Sequence, residues 1–501
     1  MSASPPNPPA PAASLTARAS WLMLAKTISF ILGLALPLIL VRKLAQADFG
    51  VYKQLFLIVN TASNLLPLSF GMSAFYFLPR EPEHRAGTVY HIVLFNLTVG
   101  TLACAALWQW PQLLGLIFHQ AGLAEYARMI GTLILLWIFS SFLEIVPIAN
   151  QEVKFATGAI IMVQTSRMAL FLGATLIFGT VRSLVWAGLA QALLQSAFLL
   201  WYLRSRFGHF WRHFDRAMLR RQLAYAIPLG FAGLLWILQT DLHNYFVANR
   251  FGPAVFALYA VGTVQIPLMG LLQEATNAVL IPHISLLQQR GETREIVYVA
   301  ARAMRKLAAV YFPVCVFLLI FGREFITFLF TKRYLDSVPV FKVNLLLLPF
   351  MTVLQDSLFR AYVGQHAFLV RLRICIFTVL AALLWFCTAR FGMIGAISVV
   401  VGMNALERII TAVRFGRLFG VRRGDIVLLK DVGKLALSAL LAGAVAWGVR
   451  MWVPAVKPVV ILLVCGACFS LIYAVVVLLA GVVTAQEKQM VFERLARLRA
   501  G

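Results

Sequence analysis

Fourteen predominantly apolar stretches of about twenty residues follow one another along this 501-residue chain, joined by short polar connections. A helix of about 20 residues is what crosses a hydrocarbon core ~30 Å thick. Inside hydrocarbon every backbone N–H and C=O must be satisfied within the protein, so only helices and closed barrels can span it. The stretches therefore predict an all-α polytopic membrane protein, with spans at 20–41, 54–78, 88–110, 129–149, 156–178, 183–203, 223–248, 255–281, 307–330, 343–363, 374–389, 393–413, 435–453 and 458–481. Only a short turn at Phe391-Gly392 separates the eleventh span from the twelfth.

Composition removes the competing classes. Hydrophobic residues are 61% and charged residues 13% of the chain, against roughly 45–50% and 25% in soluble domains. Mean hydropathy is +0.85. The six cysteines all fall in apolar segments, so no secreted disulfide framework is present. Cys465 and Cys468 form a C-x-x-C with neither a second pair nor a His cluster near it, and they read as small packing residues. No metal site and no cofactor is expected.

A net charge of +25 suggests nucleic acid in a soluble protein. Here it reports orientation. With a cytoplasmic N-terminus, the even connections and both tails hold more than twice as many Lys and Arg as the odd connections. The positive-inside rule then places both termini in the cytoplasm. Nucleic acid is not an expected partner.

The predicted organisation is a disordered cytoplasmic tail at 1–19, a six-helix bundle at 20–203, an amphipathic cytoplasmic linker helix at 204–222, a second six-helix bundle at 223–413, a basic loop at 414–434, an additional helix pair at 435–481 and a cytoplasmic tail at 482–501. In the linker, Phe207, Phe210, Trp211, Phe214 and Met218 recur at helical spacing. Arg206, His209, Arg212, His213, Arg216 and Arg220 fill the other face, the pattern of a helix lying in the headgroup layer. Residues 487–499 repeat it more weakly. An internal repeat matches VRKLAQADFGVY at 41–52 to ANRFGPAVFALY at 248–259, each joining the first two spans of a six-span block. Gly33 with Pro37 and Pro67 with Gly71 interrupt the first two spans, and Pro228 and Pro267 the seventh and eighth. The first and seventh spans are the expected bending elements.

The segment LAQADFGVY, with Gly71 near the end of the second span, resembles the start of Wzx-type polysaccharide flippases of the multidrug/oligosaccharidyl-lipid/polysaccharide exporter superfamily. FITFLFTKRYLDSVPVF at 325–341 resembles their segment between the ninth and tenth spans. Leu44-Ala45 departs from the Leu-Gly usual there. The resemblance implies a flippase that moves a polyprenyl-diphosphate-linked oligosaccharide from the cytoplasmic to the outer leaflet of the cell inner membrane by alternating access. It also implies lipid-linked oligosaccharide and membrane lipids as partners, with a glycan polymerase and glycosyltransferases nearby. The alternatives are an ion-coupled drug or metabolite antiporter of the same superfamily, which would present an acidic cavity, and a membrane glycan polymerase or ligase. Against an enzyme stand the short outer connections and the absence of any Asp-x-Asp pair or phosphate-binding loop.

Charges buried in the membrane are costly and mark function or pairing. Arg167, near the middle of the fifth span with Gln164 one turn away, is either a contact for the cargo's diphosphate or the structural partner of a carboxylate such as Glu144. In the superfamily, basic residues of the first span line the inward-facing cavity, and Lys26 holds such a position; snorkelling is its alternative. Asn60 and Asn64 are one turn apart and suit sugar hydroxyls or helix–helix contacts. Asp356 and Arg360, at i and i+4, favour an intrahelical pair, with Arg360 a further cavity candidate and Asp356 an ion-coupling one. The remaining ion-coupling candidates are Asp241 and His243, beside Asn244, Glu274, with Gln273 and Asn277, and Glu407, next to Arg408.

Overall fold

The computed structural model describes residues 15–355, 358–359, 366–452 and 457–482, and among these it is helical with no strand. The first helices are α1 (Leu15–Lys43), α2 (Gln46–Leu65), α3 (Ser73–Arg80), α4 (Arg85–Gln109), α5 (Gln112–Phe118), α6 (Ala127–Ser140), α7 (Val146–Ala149), α8 (Val153–Ile177) and α9 (Val181–Phe207). They are followed by α10 (Arg216–Arg250), α11 (Pro253–Gly262), α12 (Pro267–Gln289), α13 (Thr293–Phe330), α14 (Val338–Leu345) and α15 (Leu347–Phe350). The last three are α16 (His366–Leu418), α17 (Lys430–Trp452) and α18 (Pro458–Leu479). The tails at 1–14 and 483–501, and with them the weak amphipathic pattern at 487–499, lie outside the described residues.

Contacts cluster into two compact units. The first runs through Asp241 and includes Ala248–Ala254; the second comprises Leu242–Val247 and the chain from Val255 onward. The boundary thus falls inside α10. In the first unit α1 packs along α8, α4 on α6, and α9 on both α6 and α8. Its core gathers Phe70, Val89, Ile92, Phe142, Leu199, Tyr202 and Phe210. Large apolar side chains elsewhere, such as Trp186 and Leu176, stand exposed as lipid-facing residues do.

Two spans of this unit are irregular. The second bends by 44° between α2 and α3, where Leu68 and Ser69 take positive φ just after Pro67. The fourth tightens to a 3-10 turn, Ser141–Glu144, between α6 and α7 but continues as one span. A bend of 47° between Pro228 and Gly233 divides α10. The expected interruption of the first span does not occur: α1 continues as one helix through Gly33 and Pro37. A proline removes one hydrogen bond, and the packing of α1 along α8 supports the helix across that gap.

In the second unit, α17 and α18 pack on α13. Phe321, Ala442, Ala446, Ile461, Cys465 and Phe469 form their shared core. Cys465 is there as a packing residue. The helix α16 contains a break at Gly392 (φ 62, ψ −144), a conformation open to glycine because it has no Cβ. Gly395, just beyond, lies against the Cys387 backbone carbonyl, so the two legs fold back on each other.

Among the described residues, nine helices are long and apolar enough to cross a membrane, or eleven when the two bent pairs count as single spans. The difference from fourteen has local causes. The eighth predicted span is divided between α11 and α12, the tenth consists of short pieces and runs beyond the described residues, and the eleventh and twelfth are the two legs of α16.

The linker is not the interfacial helix its spacing predicts. Gly208 (φ 56) ends α9, a single 3-10 turn covers Phe210–Arg212, and α10 begins at Arg216. Asp215 caps that start: its Oδ1 accepts from the N–H groups of Ala217 (2.8 Å) and Met218 (3.2 Å). Phe210 and Met218 are buried, so the aromatic spacing reflects burial of some members and exposure of Trp211 and Phe214. The segment is fastened to α4. His91 Nδ1 bonds Gln222 Oε1 at 2.8 Å, and Asp215 N–H donates to His91 Nε2 at 3.1 Å. Beside it, Arg221 forms a bidentate pair with Glu81 at 3.0 and 2.9 Å.

Candidate functional site

Helical spacing builds the first part of the site. Tyr52 and Phe56 are one turn apart in α2, and Arg167 and Phe171 one turn apart in α8. Their packing with Trp137 of α6 gathers four rings, two of which lie against one guanidinium. Tyr52 lies 4.7 Å from Phe56, and Phe56 lies 5.5 Å from Phe171 and 6.0 Å from Trp137. The Arg167 guanidinium sits over the Trp137 ring at 4.6 Å and 5.9 Å from the Phe171 centroid. Such a contact contributes about 0.5–2 kcal/mol. It leaves the N–H donors uncommitted, and Arg167 Nε is buried with no hydrogen-bond partner among the described residues. The sequence singles out Arg167 but not its aromatic frame, whose only signal is the i, i+4 spacing on α2 and α8.

Glu144 ends the 3-10 turn within the fourth span. Phe142 and Leu143 beside it are buried, whereas Glu144 is exposed in the midst of surrounding protein. The charges of Arg167 and Lys26 both act on its carboxylate. No basic nitrogen of a described residue comes within 4.0 Å of it, so Arg167 and Glu144 are not a direct ion pair. Lys26 is exposed on α1. A Cβ at Gly33, two turns further along, would meet Gln164 Nε2 at 3.3 Å, which places the polar side of α8 against α1. Asn60 and Asn64 are both exposed on α2, and Asn64 Nδ2 donates to the Asn60 carbonyl at 2.9 Å.

Asp241, His243 and Glu407 have partners of their own. Asp241 and His243 are neighbours in sequence, but two residues of a helix point about 200° apart. Thr61 Oγ1 donates to Asp241 at 3.0 Å within the first unit, while His243 Nδ1 bonds the buried Tyr259 hydroxyl at 2.7 Å within the second. Glu407 is buried beside Arg373 (3.7 Å) and accepts from Gln355 Nε2 at 2.6 Å; Arg408 turns to the Val353 carbonyl at 3.0 Å. Glu274 is exposed on α12. Asp356 and Arg360 lie outside the described residues. Among the described residues no group of three His, Cys, Asp or Glu could hold a metal ion.

The two repeated segments meet. Gln46 Nε2 donates to the Ala254 carbonyl and Gln54 Nε2 to the Ala248 carbonyl, both at 3.2 Å. Gly50 lies against the Pro253 carbonyl, where a Cβ would collide with backbone. Asn249 Nδ2 adds a bond to the Ile117 carbonyl at 2.7 Å. All these atoms belong to the first unit.

The sequence profile of a family described as polysaccharide biosynthesis protein matches residues 39–339. No curated protein sequence matches the chain. The fold is similar to that of the lipid II flippase MurJ in an inward closed conformation, with a TM-score of 0.71 and 15% identity over 91% of this chain and 97% of that one. It is also similar to an inward-facing multidrug resistance MATE family transporter of the MOP superfamily, with a TM-score of 0.63 and 17% identity over 81% of this chain and 98% of that one. A MOP superfamily transporter from Pyrococcus furiosus Vc1, described as having a binding pocket of reversed polarity, gives a TM-score of 0.56 and 16% identity over 81% and 95%. At these identities the likeness establishes the fold.

Proposed function

Since the chain belongs to the polysaccharide biosynthesis protein family, we propose that it is a flippase that carries a polyprenyl-diphosphate-linked oligosaccharide from the cytoplasmic to the outer leaflet of the cell inner membrane. The observation that carries this reading, beyond the family, is Arg167: a guanidinium fixed by aromatic rings with a buried donor unused. A diphosphate crossing hydrocarbon needs compensating charge. A planar fork supplies two parallel donors to it, and ring stacking holds the fork in place before the cargo arrives. Lys26 adds a second cation, and Asn60 and Asn64 offer amides to sugar hydroxyls.

Alternating access then requires the repeated segments to part. Their contact is backbone against backbone at Gly50 and Pro253 with two glutamine bonds, a seal that is tight yet holds few side chains. The breaks after Pro67 and around Pro228 supply bending points that a continuous helix lacks. A glycan polymerase and glycosyltransferases would stand on either side of this step, using its product and making its substrate.

The test is depletion of the protein in cells, followed by leaflet-specific labelling of lipid-linked glycans. A glycan lipid that accumulates on the cytoplasmic leaflet is the expected result. Failure of any such lipid to accumulate would transfer the fold to an antiport role.

A further inference from the structure

We propose that Glu144 is the exchangeable counter-ion of the cargo site: it balances Lys26 and Arg167 while no cargo is bound, and takes up one proton when an anionic diphosphate takes its place. The inference rests on the diphosphate reading above and adds to it which residue links binding to protons.

Placement is the first ground. Glu144 closes a 3-10 turn inside the fourth span, and a 3-10 stretch within a longer helix often marks a functional hinge. The residues around it, Phe142, Leu143 and Val146, enter the core, so Glu144 is the exposed member of this turn. The break in the second span lies alongside, because a Cβ on Gly71 would meet Ile145 Cδ1 at 3.2 Å.

Its electrostatic company is the second ground. Arg167 on α8 and Lys26 on α1 are the charged groups that act on it. From α9 comes the neutral Gln195, whose Nε2 donates to the Ser140 carbonyl at 3.1 Å, and α7 is Val-Pro-Ile-Ala. Neither cation is locked to Glu144 in a direct ion pair, and Arg167 Nε is unpartnered among the described residues. An anion can therefore engage both cations without first breaking a salt bridge.

Charge balance is the third. Lys26, Arg167 and an ionised Glu144 sum to one positive charge. A diphosphate diester brings two negative charges and turns the site negative. One proton on Glu144 makes the loaded site neutral, the least costly state in a low-dielectric core. The diphosphate also takes the carboxylate's two favourable partners and adds a like charge beside it, both of which favour its protonated form. The step is a proton transfer from water to the carboxylate. It is reversed on release of the cargo, and no other bond changes.

The experiment uses the purified full chain in lipid nanodiscs. The probe is citronellyl-diphospho-N-acetylglucosamine, whose diphosphate diester carries no titrating proton between about pH 5.5 and 8.5. Isothermal titration in two buffers of different ionisation enthalpy should show about one proton taken up per probe bound, with affinity falling about tenfold per pH unit above the carboxylate's titration. Glu144→Gln should bind with no proton uptake and no pH dependence, and Glu144→Asp should restore both; a thermal melt verifies that each variant is folded. Wild-type binding without proton uptake, or uptake retained in Glu144→Gln, overturns the proposal and leaves the cargo reading intact. Absence of probe binding by the wild type removes the cargo reading and this inference with it.

Discussion

The Cα of Gly50 rests against the backbone carbonyl of Pro253, so the two copies of the internal repeat touch where neither has room for a side chain. A collision with backbone cannot be relieved by rotating a side chain. Gly50→Ala should therefore either destabilise the closed contact by about 1–3 kcal/mol or hold the segments apart. Transport by Gly50→Ala should drop at least several-fold, and cysteines placed at Gln46 and Ala254 should become more reactive toward a water-soluble thiol reagent. Wild-type transport in this variant would show that the contact is not part of the cycle.

Arg167→Lys keeps the charge but loses the fork, and it should retain partial transport. Arg167→Ala should lose most of it and Arg167→Glu all of it, with membrane levels near wild type. Trp137→Leu removes a contact worth about 0.5–2 kcal/mol and should weaken probe binding by less than Arg167→Ala does. A structural role would read differently: Arg167→Ala would deplete the protein, and adding Glu144→Gln would restore it.

Gln222 is buried, with its amide near Thr88 O (3.3 Å) and Ser73 Oγ (3.4 Å) and its oxygen bonded to His91. Gln222→Leu leaves these groups unsatisfied and should cost about 1–3 kcal/mol in thermal stability. Gln222→Glu keeps an acceptor for His91 and should cost less.

Asp215 has its carboxyl held below the usual 3.8 by the backbone N–H bonds of Met218 and Ala217. A depressed native pKa means that the cap's contribution is full above the unfolded value and is lost as pH falls through the native one. Hydrogen exchange at the start of α10 should accelerate only below about pH 4, within a loss that Asp215→Ala shows at every pH. A change near neutrality would point to another group.

Orientation is open to direct measurement. A reporter fused after residue 215 should stay in the cytoplasm, and one inserted near residue 335 should be external. The reverse at either position would break the predicted order of spans.

The helices were legible because apolar length leaves a membrane chain one kind of solution, and the turn at Gly392 because glycine stands where the chain must reverse. The linker was not. Phe210 and Trp211 share one apparent stripe, yet one is buried against the bundle and the other exposed, a distinction set by α4 and invisible in spacing. Arg167 was singled out by its depth, whereas Trp137 reaches it from a different helix, α6, and only Phe171 stands one turn along its own. The pairing of Asp241 and His243 failed for the opposite reason: nearness along a helix carried them to different partners.

The reversal at Phe391-Gly392 also constrains how the protein is made. Each leg of α16 is long and apolar, and only Arg390, Phe391 and Gly392 stand between them, too short a connection to extend into water while one leg enters alone. The carbonyl of Cys387 and the backbone of Gly395 already touch across the reversal. So short a reversal favours entry of the two legs into the bilayer together, as one hairpin.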